Sequence, residues 1–384
     1  MIPLRPLLEA AEKHTYAQGA FNINAACQIR AAMEIHALFR SPVLLQGADL
    51  ANGFMGGRTD FMNSSLDDKK RGAARIAGLV RQYSEKYVVP VALHLDHGKD
   101  FNGVKAAVDG GYTSVMIDGS ALPFQENLDL TREVVKYAHP LGVTVEGELG
   151  VLAGVEDDVF SRRSAYTNPL DAVGFIRKTG VDCLAVSYGT KHGASKGINV
   201  TLRCEIVSAI RECLLHEGIF CALVSHGSST VPSRLVEQIN CLGGSVSGAG
   251  GVPLPEIHRA IASGIRKINV DTDIRLSVTR NLRELFLQQP ELQKHPVLGQ
   301  VYALMEKNPA EVDPRVFFSP VMQAILTGEA GSSEEQLFME AVELGVKEIT
   351  GSLLVEFGSS GMADAVSVCS LEKMADRYKK EESV

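Results

Sequence analysis

Short apolar runs rich in β-branched residues alternate with longer amphipathic stretches along most of the chain. Eight runs have the length and composition of buried strands, and they begin near residues 19, 42, 89, 113, 143, 183, 220 and 267. Amphipathic stretches such as residues 126–139, 169–180 and 202–218 separate them, and several end at a glycine. Eight strand-and-helix units are typical of a closed parallel barrel rather than an open sheet. We therefore predict an α/β protein with a (β/α)₈ TIM barrel.

Two polar segments interrupt this alternation. Residues 151–169, after the fifth strand, are interpreted as a polar loop that serves as an active-site lid, and residues 326–336 as a solvated insertion. The charged tail at 373–384 is expected to fray. The predicted organisation is one catalytic barrel domain at 1–325, followed at 326–384 by a C-terminal helical extension that contains the insertion and packs on the barrel.

Composition narrows the classes of function. The chain has 384 residues, of which 45% are hydrophobic and 22% charged, as in a globular enzyme with a large core. A net charge of −8 without a basic stripe argues against a nucleic-acid partner. No apolar run reaches the roughly 18 residues of a membrane span, and the N-terminus lacks a signal-peptide core. We expect a small-molecule substrate, no membrane partner and a cytoplasmic location.

Seven cysteines are present, and none forms a C-x-x-C pair. Several lie within apolar runs, so we interpret them as buried free thiols of a reducing compartment.

Polar side chains collect where the apolar runs end, which is the face on which barrel enzymes build their sites. The third run ends with His94, Asp96 and His97, the sixth with His192 and the seventh with His226. Neighbours in a strand face opposite sides, so Asp96 and His97 can share a pocket only if the strand has ended there. A single strand-end histidine is more often structural. Three at corresponding positions favour a metal site with one position open for substrate.

Acidic residues and glycine-bearing loops surround these histidines. Glu146 and Glu148 share one face of the fifth strand, although a salt bridge beneath the barrel mouth is an equal alternative for Glu146. The glycine- and hydroxyl-bearing ends of the sixth, seventh and eighth strands predict a phosphate site. The carboxylates expected near the pocket are Asp96, Asp118, Glu146, Glu148, Glu156, Asp157, Asp271 and Asp273.

Seven ordered segments resemble one known family. They are AFNIN, PVALHLDHG, VEGELGVLAGVEDD, GVDCLAVSYGTKHG, LVSHGSSTVP, KINVDTD and VDPRVF, within residues 1–325, and LLVEFGSSGMA extends the match near the C-terminus. The chain resembles the class II, zinc-dependent ketose-bisphosphate aldolases, the family of fructose- and tagatose-bisphosphate aldolases. This resemblance implies reversible cleavage of a ketose 1,6-bisphosphate to dihydroxyacetone phosphate and an aldehyde such as glyceraldehyde 3-phosphate.

The resemblance also implies roles for individual residues. His97, His192 and His226 match the zinc ligands, and Glu148, with Asp118 close by, matches an alternative metal position. Asp96 matches the group that exchanges a proton with the C4 hydroxyl, and Glu156 matches the mobile-loop acid at the nucleophilic carbon. The residues matching substrate-binding positions are Asn22, Gly193, Gly227, Ser228, Ser229, Asn269, Asp271, Thr272 and, for the far phosphate, Arg315. One catalytic Zn²⁺ per subunit, a monovalent cation, and a homodimer or larger homo-oligomer are further implied.

Some residues depart from the family pattern. Ala48 stands where many members carry a phosphate-holding serine, and Tyr188 to Lys191 is not the commonest form of its motif. The segment after His192 is short, and the insertion at 326–336 is unusual. These departures leave the reaction type intact and leave the exact acceptor aldehyde open. The stereochemistry at C4, which separates fructose from tagatose bisphosphate, depends on how the acceptor is placed, and the sequence does not decide it.

Three competing functions remain. Lys267 could form a Schiff base with the substrate, although its expected position at the start of the eighth strand argues against this role. Three histidines and an aspartate could instead activate water for hydrolysis. From a different class, the protein could bind sugar phosphates without catalysis, but that idea predicts the loss of a key residue, and each of them is present.

Overall fold

The computed structural model describes residues 1–152, 154–156, 159–161, 165–191, 193 and 200–382, with backbone alone for 154–156 and 159–161. Within these residues, eight parallel strands close into a barrel in the order β1-β10-β9-β8-β5-β4-β3-β2, and β1 pairs with β2 to complete the circle. All eight predicted strands are confirmed. The strands are β1 Gln18–Asn22, β2 Val43–Ala48, β3 Val91–Gly98, β4 Ser114–Ile117, β5 Thr144–Leu149, β6 Gly154–Glu156, β7 Val159–Ser161, β8 Cys183–Val186, β9 Ala222–Ser225 and β10 Ile265–Val270.

Helices surround the barrel, as the amphipathic stretches predict. Helix α7 shows why they begin and end where they do: the Asn168 side chain caps the N–H groups of Leu170 and Asp171, and Gly180 ends the helix at φ 77°. The helices are α1 Arg5–His14, α2 Ala26–Leu38, α3 Asp49–Met55, α4 Leu66–Ser84, α5 Phe101–Gly110, α6 Phe124–Ala138, α7 Pro169–Thr179, α8 Cys204–Glu217, α9 Ser233–Cys241, α10 Leu254–Ser263, α11 Thr272–Gln288, α12 Leu298–Lys307, α13 Arg315–Phe318, α14 Met322–Thr327, α15 Ser333–Glu356 and α16 Leu371–Glu381.

Two apolar clusters hold the barrel. The larger lies between strands and helices and includes Leu45, Leu93 and Val145. The smaller fills the N-terminal end of the barrel interior, where Leu44 and Ala92 meet side chains of α1 such as Leu7. Since side chains alternate along a strand, the next inward-facing positions on β2 and β3 are Gln46 and His94, which are polar and fully buried. The interior therefore changes from apolar to polar towards the C-terminal ends of the strands.

Two expectations about loops and termini need correction. The segment after β5 is not a plain loop, because its backbone forms the antiparallel hairpin β6–β7. The tail does not fray over most of its length: α16 docks with Met374 and Tyr378 buried, and the Tyr378 ring stacks on His139 at 3.7 Å. An amphipathic helix that buries an aromatic ring is stable despite many charges.

The C-terminal helices pack on the barrel. Helix α15 packs against α2 and α11, and residues 328–332 connect it to α14. The domain boundary at 325/326 stays a prediction. Of the seven free cysteines, Cys27, Cys183, Cys204 and Cys221 are buried as expected, whereas Cys241 is exposed. Within the described chain no helix combines the length and apolar character needed to cross a bilayer.

Candidate active site

Asp96 and His97 reach one pocket by a route that differs from the expected one. The strand does not end at Asp96, because β3 continues to Gly98. Instead His97 adopts a left-handed φ of 46°, and the pairing of β3 with β4 shifts register between Leu95 and Gly98. Such a bulge re-aims a side chain within a strand. Both side chains are consequently buried, and the His97 Nε2 atom lies 4.0 Å from the Asp96 Oδ1 atom.

His97 and His226 face each other across the end of the barrel. Their Nε2 and Nδ1 atoms are 3.1 Å apart, and the rings meet edge to face. The outer nitrogen of each ring contacts a carboxylate: His97 Nδ1 lies 3.1 Å from Asp118 Oδ2, and His226 Nε2 lies 2.8 Å from Glu146 Oε1. A carboxylate only accepts, so the outer nitrogens are assigned as N–H donors. Burial lowers the pKa of His97, but Asp96 and Asp118 hold it well above the ordinary value, which favours a proton shared between the two facing nitrogens. When a metal ion displaces that proton, both facing nitrogens offer lone pairs.

The surrounding carboxylates experience opposite environments. Burial favours a raised pKa for Glu146, but the Lys267 ammonium at 2.9 Å and the His226 hydrogen bond hold its pKa below the ordinary value. Burial, with Asp118 next, raises the pKa of Glu148 well above its ordinary value. The Glu148 Oε2 atom has no hydrogen-bond partner among the described residues. Buried carboxylates with pKa values pushed apart are typical of a functional site.

Two groups of ligand atoms are close enough to bind one cation each. Asp96, His97 and His226 form the first group, and His97, Asp118 and Glu148 form the second, with the ligand atoms of each group within 4.8 Å of one another. His97 belongs to both. Imidazole nitrogens with carboxylate oxygens are a donor set that suits zinc.

Three side-chain amides from three strands surround the Asp96 carboxylate. Asn269 Nδ2 donates to Oδ1 at 2.9 Å, while Gln46 Nε2 and Asn22 Nδ2 donate to Oδ2 at 3.0 and 3.3 Å. Both carboxylate oxygens act as acceptors in these bonds, so the side chain is held in one orientation at the end of the barrel.

The predicted phosphate-binding loops are held together by Asp273. Its carboxylate accepts hydrogen bonds from the Thr230 and Val231 N–H groups at 2.8 and 2.7 Å. The loop after β9 has positive φ at Gly227 (59°) and at Val231 (45°), a strained conformation for a β-branched residue. Asp273 thereby fixes the loop after β9 to the first turn of α11, which follows β10, and barrels frequently bind phosphate at the loops after these last two strands.

Arg315 lies on the short helix α13 and is held by Asp313. Its Nε and Nη2 atoms donate to Asp313 Oδ2 at 3.0 and 2.6 Å, and the guanidinium lies 4.6 Å from the centre of the Phe61 ring. Arg275 connects this pair to the barrel, since it binds Asp313 Oδ2 at 3.0 Å and Asp271 Oδ1 at 2.9 Å. These ion pairs, in the order Asp271, Arg275, Asp313 and Arg315, link the residue after β10 to α13.

The structure brings most of the predicted residues together at the C-terminal end of the barrel. Asn22, Asp96, His97, Asp118, Glu148, His226 and Asn269 meet there through the contacts given above. Gly227, Ser228, Ser229, Asp271 and Thr272 lie in the loops after β9 and β10, and Gly193 has φ 82°. His192 and Asp157 lie outside the described residues. For Glu156 the described part is the backbone, at the end of β6.

Lys267 was expected at the start of its strand, but it is the third residue of β10. Its side chain is fully buried and forms an ion pair with Glu146. The strand begins at Ile265, two residues earlier than the apolar run suggests, and includes Arg266, whose Nε donates to Glu12 Oε2 on α1 at 2.6 Å. The salt-bridge alternative for Glu146 is thereby confirmed.

Comparison with known proteins agrees with this geometry. Residues 2–349 match the family model described as fructose-bisphosphate aldolase class-II. The chain is 36% identical over 386 residues to the fructose-bisphosphate aldolase of Giardia intestinalis, covering 98% of each chain. It is also 36% identical to that of Thermus caldophilus, covering 93% of this chain and 98% of the other.

The chain belongs to the class II fructose-bisphosphate aldolase family. It is accordingly an enzyme of the aldehyde-lyase type. Among solved structures, the YdjI aldolase of Escherichia coli K12 matches with a TM-score of 0.63 and 25% identity, over 94% of this chain and 99% of the other. The fructose-bisphosphate aldolase of Campylobacter jejuni shares the fold with a TM-score of 0.66 at 20% identity, over 94% and 95% of the two chains. The predicted barrel is therefore confirmed.

Sequence reasoning missed two polar residues of this class II aldolase site, Gln46 and Asp313, and the role of a third, Asp273. Gln46, which contacts Asp96, is a polar residue in the apolar run of β2, and that interruption was the available signal. Asp273 was included among the carboxylates without its loop-binding role. Asp313, which holds Arg315 from two residues away, has no distinguishing local pattern.

Proposed function

We propose that this protein is a metal-dependent aldolase that reversibly cleaves a ketose 1,6-bisphosphate, with fructose 1,6-bisphosphate as the first candidate. The products are dihydroxyacetone phosphate and an aldehyde such as glyceraldehyde 3-phosphate. One observation carries the proposal: two histidine nitrogens face each other 3.1 Å apart beside a carboxylate that accepts hydrogen bonds from three amides. The curated relatives named above support fructose bisphosphate over its tagatose isomer.

The residues present fit a zinc ion. Two facing lone pairs repel each other unless a proton or a metal ion lies between them, and two nitrogens on one tetrahedral zinc are separated by about 3.3 Å. His97 and His226 would hold the ion with His192, which the family resemblance assigns, and Glu148 would serve an alternative position. When bound, zinc acts as a Lewis acid that stabilises the negative charge developing on the ketone oxygen.

Acid–base chemistry is assigned to Asp96. Its carboxylate accepts the C4 hydroxyl proton as the C3–C4 bond breaks, and returns it in the condensation direction. The amides of Asn22, Gln46 and Asn269 hold the carboxylate in place while it does so. Glu156, on the hairpin after β5, is proposed to exchange the proton at the carbon that becomes nucleophilic.

Substrate positioning is assigned to two groups of residues. Asn22 and Asn269 contact the dihydroxyacetone-phosphate half. Its carbonyl and phosphate lie against Gly193, Gly227, Ser228, Ser229, Asp271 and Thr272. Arg315 binds the far phosphate, and its pairing with Asp313 and Phe61 supports this role because a fixed guanidinium loses little entropy on binding. A monovalent cation and a homodimeric or larger assembly complete the proposal.

The test is an assay of fructose 1,6-bisphosphate cleavage with trapping of the triose phosphates, before EDTA treatment, after it, and after zinc is added back. Tagatose 1,6-bisphosphate is assayed in parallel. Activity abolished by EDTA and restored by zinc supports the proposal, and the ratio of the two rates assigns the sugar. Cleavage that resists chelation would refute the metal-dependent mechanism. No cleavage of either sugar by zinc-loaded protein would refute the substrate assignment.

A Schiff-base mechanism at Lys267 is disfavoured by its contacts. Its Nζ atom is fully buried and lies 2.9 Å from the Glu146 carboxylate and 2.7 Å from Asn269 Oδ1. A nucleophilic amine must be accessible to the substrate carbonyl, whereas this one is enclosed by a carboxylate and an amide. Borohydride with substrate should therefore leave the enzyme active and unmodified.

A further inference from the structure

Lys267 lies inside the barrel, one inward-facing position below Asn269 on β10. Its side chain and that of Glu146, on the far side of the interior on β5, are both completely buried. A buried ammonium group persists only with partners that compensate its lost hydration. Lys267 has two: its Nζ donates to Glu146 Oε2 at 2.9 Å and to Asn269 Oδ1 at 2.7 Å.

The bond to Asn269 determines which way its amide points. A side-chain amide has a donor end and an acceptor end, whereas an ammonium group can only donate. The Asn269 oxygen must therefore face Lys267, and the Nδ2 group must face the Asp96 Oδ1 atom, which lies 2.9 Å away. In the reversed orientation the amide oxygen would face a carboxylate oxygen, and the two would repel each other.

We propose that Lys267 is a positioning residue for the aldol reaction, which orients the Asn269 amide and thereby holds the Asp96 carboxylate. Glu146 is the counter-charge that allows the ammonium group to remain buried. The inference rests on the proposed function, because Asp96 is the proton acceptor there. Lys267 itself touches no reacting atom, so it acts on Asp96 through Asn269, while its other partner, Glu146, lies 2.8 Å from His226 Nε2.

A structural role alone would make different predictions. If the ion pair only fills the interior, removing both charges together should change stability and turnover little, since replacing a whole buried ion pair often costs little stability. If Lys267 orients Asn269, the charge-free variant still loses turnover. The informative variants are therefore K267M, the charge-matched double variant E146Q/K267M, N269A and N269A/K267M.

Arg266 offers a matched control on the same strand. It is also a buried cation in an ion pair, but it faces outward to Glu12. R266M should lower stability and leave the kcat of the folded enzyme within about two-fold, the spread expected for a distant, independent site.

Because Glu146 also contacts the proposed zinc ligand His226, K267M and E146Q/K267M are compared at saturating zinc, where we expect kcat for fructose 1,6-bisphosphate cleavage to fall about ten- to a hundred-fold, the range for coupled neighbours. KM should change less than kcat, because Asn269 is the one proposed substrate contact that these variants disturb and the others remain. In the N269A background, adding K267M should lower kcat by less than about two-fold, since the link from Lys267 through Asn269 to Asp96 is already removed. Wild-type kcat in E146Q/K267M, or an undiminished loss in the N269A background, would overturn the proposal.

A measurement independent of activity separates this inference from the proposed function. In protein labelled with ¹⁵N-asparagine, the Asn269 side-chain amide signal is assigned by its disappearance in N269A. That signal should shift in K267M and stay in place in R266M. An unchanged signal in K267M refutes the positioning role even if the enzyme is an aldolase. If zinc-loaded wild-type protein is inactive but the signal does shift in K267M, only the proposed reaction is refuted.

Discussion

Both ends of the barrel bury a cluster of charged side chains, but the clusters differ in charge balance. At the N-terminal end, Arg5 pairs with Asp182 at 3.3 Å and with Glu381 at 2.7 Å. His139 adds a contact to Asp182 at 3.0 Å, and the ring of Tyr378 covers it. Each buried charge there has an opposite neighbour within the chain. This cluster joins α1 and α16 to Asp182, the residue just before β8.

At the C-terminal end, carboxylates crowd together. Asp96, Asp118 and Glu148 surround His97, and Glu148 Oε2 lacks a hydrogen-bond partner among the described residues. Burial raises the pKa of Glu148, while contacts with His97 lower that of Asp118 despite its burial. Burial is similar at the two ends, so charge imbalance, rather than burial, distinguishes a site that calls for a cation from one that only stabilises the fold.

The largest expected effect removes the proton acceptor from the unbalanced end. Asp96→Asn preserves the size and shape of the side chain, but the amide cannot take the C4 hydroxyl proton. We expect kcat to fall about 10²- to 10⁴-fold, the usual contribution of a general base. Steady-state assays of the zinc-loaded variant measure it, with zinc content as the control. A variant with full zinc content and unchanged kcat would contradict the assignment of Asp96.

Breaking the balanced end should affect stability instead. Arg5→Met leaves Asp182 buried without its guanidinium partner, and the expected loss is about 3–5 kcal/mol of unfolding free energy. Urea denaturation measures the loss, while kcat of the folded enzyme should not change. Arg40→Met, at an exposed pair with Asp364, is the matched control and should cost less than about 1 kcal/mol. If Arg5→Met lowered kcat without lowering stability, the separation of roles between the ends would be wrong.

The pH dependence of stability tests a third buried group, which lies at neither end of the barrel. His36, on α2, donates from Nδ1 to the Ala32 carbonyl oxygen, and burial lowers its pKa to about 4. The unfolded chain binds this proton near pH 6.5 and the folded chain does not, so stability falls as the pH drops from about 6.5 to about 4. The expected loss of unfolding free energy over this pH range is about 3 kcal/mol.

His36→Met should flatten that part of the stability profile in metal-free protein, measured by urea denaturation across the pH range. The exposed His258, replaced in the same way, is the control and should leave the slope unchanged. A slope that persists in His36→Met would assign the acid sensitivity to the barrel ends.

The smallest effect concerns the carboxylate behind His97. Asp118 Oδ2 accepts from His97 Nδ1, and its Oδ1 accepts from the Ser120 hydroxyl at 2.7 Å. Asp118→Asn should weaken zinc binding about ten- to a hundred-fold, because the ring loses the group that orients it. Competition with a chromogenic chelator measures this change. Asp109→Asn, at an exposed carboxylate paired with Lys105, should leave zinc affinity unaltered.

Much of the fold was predictable from local pattern. Eight apolar runs predicted eight barrel strands because a strand buried on both faces must be apolar along its length. The placement of His226 followed, since polar residues at strand ends face one common edge. Asn269 was expected only from the family resemblance. Other features were not local. The bulge at His97 depends on the partner strand β4, and α16 is stable because Tyr378 finds His139, which is 239 positions earlier in the chain.

The sequence by itself determined the barrel, the edge that carries the chemistry and the residue types available there, because these follow from hydrophobic periodicity and strand direction. The tertiary structure decided how those residues are paired. Lys267 faces Glu146 and Asn269, three amides converge on Asp96, and Glu148 is left without a hydrogen-bond partner among the described residues. Pairing across a closed barrel joins strands far apart in the chain, so side-chain electrostatics at this site depends on contacts that no local pattern encodes.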